Sequence, residues 1–168
     1  MSALPKDFPA AITVVQHLSP QYRSYMAQKL SQHTAWRVKQ ATQGEWLRPA
    51  TVYVCVPDKH LLVNSDGRLC LSDGAKVNFV RPAADKLFES VANTYKTRAI
   101  AVVLTGRNND GAQGVLAIKQ QGGIAIAQDE ATSECFSMPK NAIDTGKVDF
   151  VLPLDAIAPT LVNLLTHG

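Results

Sequence analysis

The chain has 168 residues, 46% of them hydrophobic and 18% charged, with 17 Lys and Arg against 14 Asp and Glu for a net charge of +3. That supports one globular domain spanning residues 1–168 and is too short for two of ordinary size. The longest apolar run, Ala99–Leu104, falls far short of a bilayer span, the opening MSALPKDFPAA lacks the basic-then-apolar order of a secretory leader, and the cations form no basic run. Membrane insertion and nucleic-acid binding are therefore not expected, and the expected location is cytoplasmic.

Residues 11–16 (AITVVQ) are a β-branched run ending at His17 and predict a buried strand. Ser19-Pro20 reads as an N-cap and first helical residue, with Tyr22, Met26 and Leu30 on one helical face. TVYVCV (51–56) predicts another strand. Asn64-Ser65-Asp66-Gly67 is a turn between two apolar runs, so residues 60–71 predict a β-hairpin. A helix opens at Pro82 and buries Leu87, Phe88, Val91 and Tyr95. AIAVVL (99–104) is apolar without alternation, the pattern of a strand covered on both faces. The loop TGRNNDG then leads into a helix from about Asp110 to Gln121, closed by Gly122-Gly123. IAIAQ (124–128) predicts a buried strand, followed by a short helix near 139–145, a strand at 148–152 and a final helix with Ile157, Leu161, Leu164 and Leu165 on its apolar face. Strands alternating with helices predict an α/β fold, a doubly wound and mostly parallel sheet with helices on both faces.

In such sheets ligands bind beyond the carboxyl ends of the strands. His17 follows the first strand and Asp110 lies in the loop after strand 99–104, so the two can pair, with the imidazole as general base and the carboxylate fixing its tautomer. On spacing alone the commoner reading is capping, His17 of the helix from Ser19 and Asp110 of the helix that starts near 110. His33 at a helix end, His60 at the start of the hairpin and His167 near the terminus carry no metal-ligand spacing. Cys55, Cys70 and Cys135 are odd in number and contain no CxxC pair, so neither a disulfide scaffold nor a zinc site is expected. Cys135 lies in a loop after a strand and is a distant candidate nucleophile; a lone cysteine is more often a small buried hydrophobe. TGRNNDGAQG has neither GxGxxG nor a Walker lysine, so no dinucleotide site is expected.

FPAAITVVQHLSP, RPATVYVCVPDKHLLV, RPAADKLFESVA, AVVLTGRNNDGAQG and AIAQDEATSECFSMPKNAI, in this order, resemble the catalytic domain of the chemotaxis protein-glutamate methylesterases, the CheB family, from Leu4 to Leu165. The resemblance implies hydrolysis of glutamyl methyl esters, and deamidation of glutamines, on the cytoplasmic helices of methyl-accepting chemoreceptors by a Ser-His-Asp triad without metal or cofactor. It implies His17 as the triad histidine and Asp110 as the triad aspartate. The family's Gly-Ala-Ser-x-Gly-Gly nucleophile turn does not occur in the sequence, and neither does a receiver domain. Ser2 lacks the flanking glycines, and Ser19, Ser133 and Ser137 stand outside the motif. Loss of a triad nucleophile costs on the order of 10⁶ in kcat, so the chain alone is expected to be nearly inert.

The family loop Thr-Gly-Met-Gly-x-Asp-Gly also departs here. Arg107 stands at the methionine position, whose backbone is associated with oxyanion binding, and Asn108 replaces the following glycine. The resemblance further implies a missing first strand, nucleophile turn and first helix, and hence an unpaired sheet edge or uncovered apolar groove. Self-association or a complementing chain is the expected consequence. A split enzyme and a non-catalytic receptor-binding remnant are the alternatives to a fragment of an active enzyme.

Overall fold

The structure is a computed structural model, which describes residues 1–17, 19, 21 and 23–166. Ile12–Val14 (β1), Arg37–Gln40 (β2) and Thr51–Val54 (β3) form a parallel sheet in the order β1-β3-β2. β3 is buried along its whole length because it serves both faces. Val52 and Val54 pack with Leu4, Phe8 and Trp36 on one side, whereas Tyr53 packs with Leu61, Leu69 and Leu87 on the other. β2 is not anticipated by the sequence: RVKQ carries one apolar residue and lies at an edge with both ends exposed.

The helix expected from Ser19 begins later, at Met26–Ser31 (α1). Ser19 Oγ accepts the N–H of Gln21, and Ser24 Oγ that of Met26; such local turns compete with helix formation. Pro20, Tyr22 and His167, which entered the sequence reading, lie outside the described residues.

His60–Val63 (β4) and Leu69–Ser72 (β5) form the predicted antiparallel hairpin, with Gly67 at φ +87° in its turn. Ala84–Tyr95 (α2) covers the hairpin and carries Phe88. Phe88 packs against the core beneath the first sheet and also against the core of a second one, so α2 ties the two together.

The second sheet comprises Ile100–Val103 (β6), Ile124–Gln128 (β7) and Phe150–Leu152 (β8), parallel and in chain order. Between them run Ala112–Gln120 (α3), ended by Gly122 at φ +81°, and Ser137–Asp144 (α4). Leu154–Thr166 (α5) closes the described chain and lays Leu161, Val162 and Leu165 on the first sheet. The expectation that strand 99–104 is covered on both faces is corrected. Ala101 and Val103 are buried, but Ile100 and Val102 are only half-buried and Leu104 is 44% exposed. One face of the strand is thus fully covered and the other only in part; β6 also bonds only to β7, as β1 bonds only to β3, so among the described residues each keeps an unpaired edge. The architecture is α/β with mostly parallel sheets and helices on both faces. No helix among the described residues is long and apolar enough to cross a membrane.

Candidate functional site

β1 and β6 both run their carboxyl ends toward the same point. Beyond β1 the chain reaches His17; beyond β6 it enters the loop 104–111, which carries Asp110. Asp110 Oδ2 lies 2.6 Å from His17 Nε2, and the Asp110 side chain is completely buried while His17 keeps 27% of its side chain exposed. Sequence reading left pairing and capping open, and the structure combines them. The Asp110 carboxylate caps a helix, but not the one that follows it. The N–H of Ala84 donates to Oδ2 at 2.6 Å and that of Asp85 to Oδ1 at 2.9 Å, both from the first turn of α2. Helix α3 has Gly111 as its own N-cap, at φ +102° and without a side-chain bond.

These donors decide the charge of Asp110. Burial pushes its carboxyl pKa up, but the His17 bond and the two helix N–H groups outweigh burial and leave it below the ordinary carboxylate range. The dipole of α2 acts in the same direction. Asp110 is thus an anion held in an apolar setting, able to hold one imidazole tautomer and to stabilise an imidazolium beside it.

The tautomer follows from the neighbours. A carboxylate can only accept, so His17 donates from Nε2–H to Asp110. Nδ1 keeps its lone pair and faces the side-chain amide of Asn108, whose Nδ2 lies 3.3 Å away. Asn108 is fixed in turn: its Oδ1 accepts the N–H of Asp110 at 2.9 Å, and its carbonyl accepts from Ser137 Oγ and Asn141 Nδ2. The nitrogen able to take a proton is therefore Nδ1.

His17 also lines a shallow cleft with Lys76, Phe79, Val80, Arg81 and Pro82. Val77 and Val80 exchange backbone hydrogen bonds around a tight turn that places Asn78 at φ +48° and Phe79 at φ +66°. Phe79 is 96% exposed there. Arg81 anchors the base of this loop to Asp58 and to the carbonyls of Asp73 and Gly74.

Arg107 is exposed, one residue before Asn108. His60 is buried rather than superficial: its ring takes the N–H of Ala83 on Nδ1 and meets the Ala75 carbonyl through Nε2, so its role is structural. His33 is exposed just beyond α1. Cys135 holds Thr105 and Gly106 through its backbone, and no hydrogen bond joins its sulfur to His17 among the described residues. Ser133 and Ser137 donate to backbone carbonyls, Ser19 serves its local turn, and Ser2 is exposed. No cluster of three metal-ligating side chains occurs among the described residues. Asn108 and Asp85 are site residues that sequence reasoning missed. Asn108 was noted only as a lost glycine, and Asp85 looks like any acidic residue in a first helical turn.

The family model described as CheB methylesterase matches residues 1–161. A protein-glutamate methylesterase/protein-glutamine glutaminase of Moorella thermoacetica is 40% identical over 171 residues, covering 99% of this chain and 40% of that protein. The group 3 operon protein of the same name from Rhizobium meliloti is 44% identical over 158 residues, covering 94% of this chain and 45% of its own length. The chain thus spans less than half the length of these two relatives. The crystal structure of the Thermotoga maritima CheB methylesterase catalytic domain superposes with a TM-score of 0.93 at 40% identity, over 97% of this chain and 88% of that one.

Proposed function

The chain belongs to the CheB methylesterase family, and from that premise we propose that His17 and Asp110 are the base and orienting acid of a protein-glutamate methylesterase and glutaminase acting on chemoreceptor cytoplasmic helices. The observation that carries this reading is the buried, ionised Asp110 at 2.6 Å from His17 Nε2, which leaves Nδ1, met only by the Asn108 amide, as the nitrogen that can take a proton.

The reaction needs a serine, and no Gly-Ala-Ser-x-Gly-Gly turn occurs in the 168 residues. We infer that the serine arrives on a strand seated between the unpaired edges of β1 and β6, whose carboxyl ends already supply the other two groups. Its hydroxyl would replace the Asn108 amide at Nδ1 and lose its proton to that nitrogen while attacking the ester carbonyl. Asp110 stabilises the imidazolium, which returns the proton to the departing methanol. Water, deprotonated by the same nitrogen, then releases the glutamate. A glutamine amide would follow the same steps with ammonia leaving. The backbone N–H of Arg107 has no acceptor among the described residues, which supports a role for it in holding the oxyanion. In this reading the complementing strand belongs to a segment outside these residues or to a second chain, and the enzyme works in the cytoplasm.

The test is methanol release from methylated receptor helices by the 168-residue chain, alone and with a peptide supplying a strand, the serine turn and the following helix. No turnover alone, rescue by the peptide and loss of rescue on changing its serine to alanine are expected. A bound peptide that rescues nothing would overturn the catalytic assignment in favour of a receptor-binding remnant. Turnover by the chain alone would move the nucleophile into it, with Ser2 and Cys135 the first to mutate.

A further inference from the structure

Asp85 lies in the first turn of α2 and is only 2% exposed. Its Oδ1 accepts the N–H of Gly111 at 2.9 Å and of Gly114 at 2.7 Å, at the start of α3. Asp110, immediately before α3, accepts the N–H groups of Ala84 and Asp85 at the start of α2. The two helices therefore exchange caps, each N-terminus giving its unpaired donors to a carboxylate carried by the other. Four donors that a helix cannot satisfy internally are paired in one buried knot.

The knot requires close approach. Gly111 holds φ +102°, and a Cβ on Gly114 would stand 2.5 Å from Phe88 Cβ. A side chain at Gly114 would separate the two N-termini, and one at Gly111 would be strained by its positive φ.

We propose that Asp85 is a positioning residue of the site: by clamping the start of α3 to α2 it fixes the loop that carries Asp110, and through Asp110 the ring of His17. The role rests on that pair being the functional one, as proposed above, and is independent of the ester it hydrolyses. The two carboxyl groups do not share the charge equally. Asp110 has three donors on two oxygens, whereas Asp85 Oδ2 is buried with no partner. Burial first, and then the charges of Asp110 and Glu89, push the Asp85 carboxyl above its ordinary range against the pull of the Gly114 and Gly111 bonds. The clamping is done by Oδ1 alone, which accepts both N–H groups whether or not Oδ2 carries a proton. Asparagine has the same shape and the same acceptor.

The experiment is NMR on the whole 168-residue chain, reading the hydrogen-bonded ring proton of His17 and its ring nitrogen shifts in the wild type, Asp85→Asn and Asp85→Ala. The expected result is wild-type signals in Asp85→Asn. In Asp85→Ala the ring proton should be lost and the nitrogen shifts should move to a mixture of tautomers, at temperatures where the variant is folded. A folded Asp85→Ala with wild-type ring signals overturns the proposal, because a merely structural aspartate lowers the melting temperature without disturbing the imidazole. Should Asp85→Ala not fold, amide exchange in the wild type decides. A clamp opens the N–H groups of Ala84, Asp85, Gly111 and Gly114 together, with protection agreeing within about threefold, and unrelated exchange rates overturn it. Failure of methanol release would strike the catalytic assignment, whereas these signals strike the clamp alone.

Discussion

The side-chain amide of Asn108 lies 3.3 Å from Nδ1 of His17, on the ring nitrogen that Asp110 leaves free. In the proposed mechanism the reacting hydroxyl would take its place. Asn108→Gly is expected to open Nδ1 and to speed its acylation by diethyl pyrocarbonate several-fold. The same change removes the acceptor for the Asp110 N–H, a cost of about 1 kcal/mol. Mass spectrometry of the modified chain and urea denaturation read the two effects separately.

Asp110→Asn keeps the size of the side chain and removes its charge. An amide can turn its NH₂ toward the ring, which would reverse the His17 tautomer and block proton transfer at Nδ1. In the peptide-complemented methanol assay kcat is expected to fall by about 10⁴, the magnitude found when a triad aspartate is neutralised. KM should change little, since Asp110 is buried away from the cleft surface.

Asp110 and Asp85 have opposite effects on stability as pH changes. Asp110 has a lowered pKa in the folded chain, so its contribution is present above the unfolded value of about 3.9 and is lost as pH falls through the lower folded value. Asp85 has a raised pKa, so its contribution is complete below about 3.9 and is lost as pH rises through the folded value. Urea midpoints measured across the acid range should show both limbs. Asp85→Asn should abolish the decline on the rising-pH side and leave the acid limb in place.

Gly114→Ala adds one methyl group where Phe88 already stands at 2.5 Å. The expected loss is about 1–3 kcal/mol by overpacking, more than the small gain alanine brings to a helix interior. Thermal melts measure it. Leu116→Ala, two residues along the same helix and half-buried, should cost less than Gly114→Ala if close helix approach is what matters.

Phe79→Gly is expected to stabilise the chain slightly, by up to about 1 kcal/mol, because φ +66° suits glycine and not a side chain with a Cβ. Since Phe79 stands 96% exposed at the cleft beside His17, the same change should raise KM for a receptor helix in the complemented assay. A small methyl ester that cannot span the cleft should be hydrolysed as before.

Much of the architecture was legible because its signals are local. β7 is an apolar run bounded by Gly123 and Asp129, and the hairpin carries its own turn with Gly67. β2 was not, because an edge strand such as RVKQ has too few buried positions to show a period. The delayed start of α1 reflects competition at Ser19 and Ser24 that composition does not display. At the candidate site, that His17 and Asp110 can meet was legible from where strands end, although spacing alone favoured capping. Asp85 was not, since its partners Gly111 and Gly114 lie 26 and 29 residues away on another helix. Nothing within α2 distinguishes it from a solvated acid.

The unpaired edges of β1 and β6 have a polarity. Among the described residues each strand runs parallel to one neighbour, with the two carboxyl ends at His17 and the Asp110 loop. An inserted strand that runs the same way delivers its last residue to the imidazole, whereas one that runs the opposite way delivers its first. In the proposed reading, a donor that turned back as a hairpin would have to place its second strand where β1 or β6 already sits, so the donor would leave the sheet instead. In the proposed reading the position of the serine within the donor strand therefore fixes the direction in which that strand must lie.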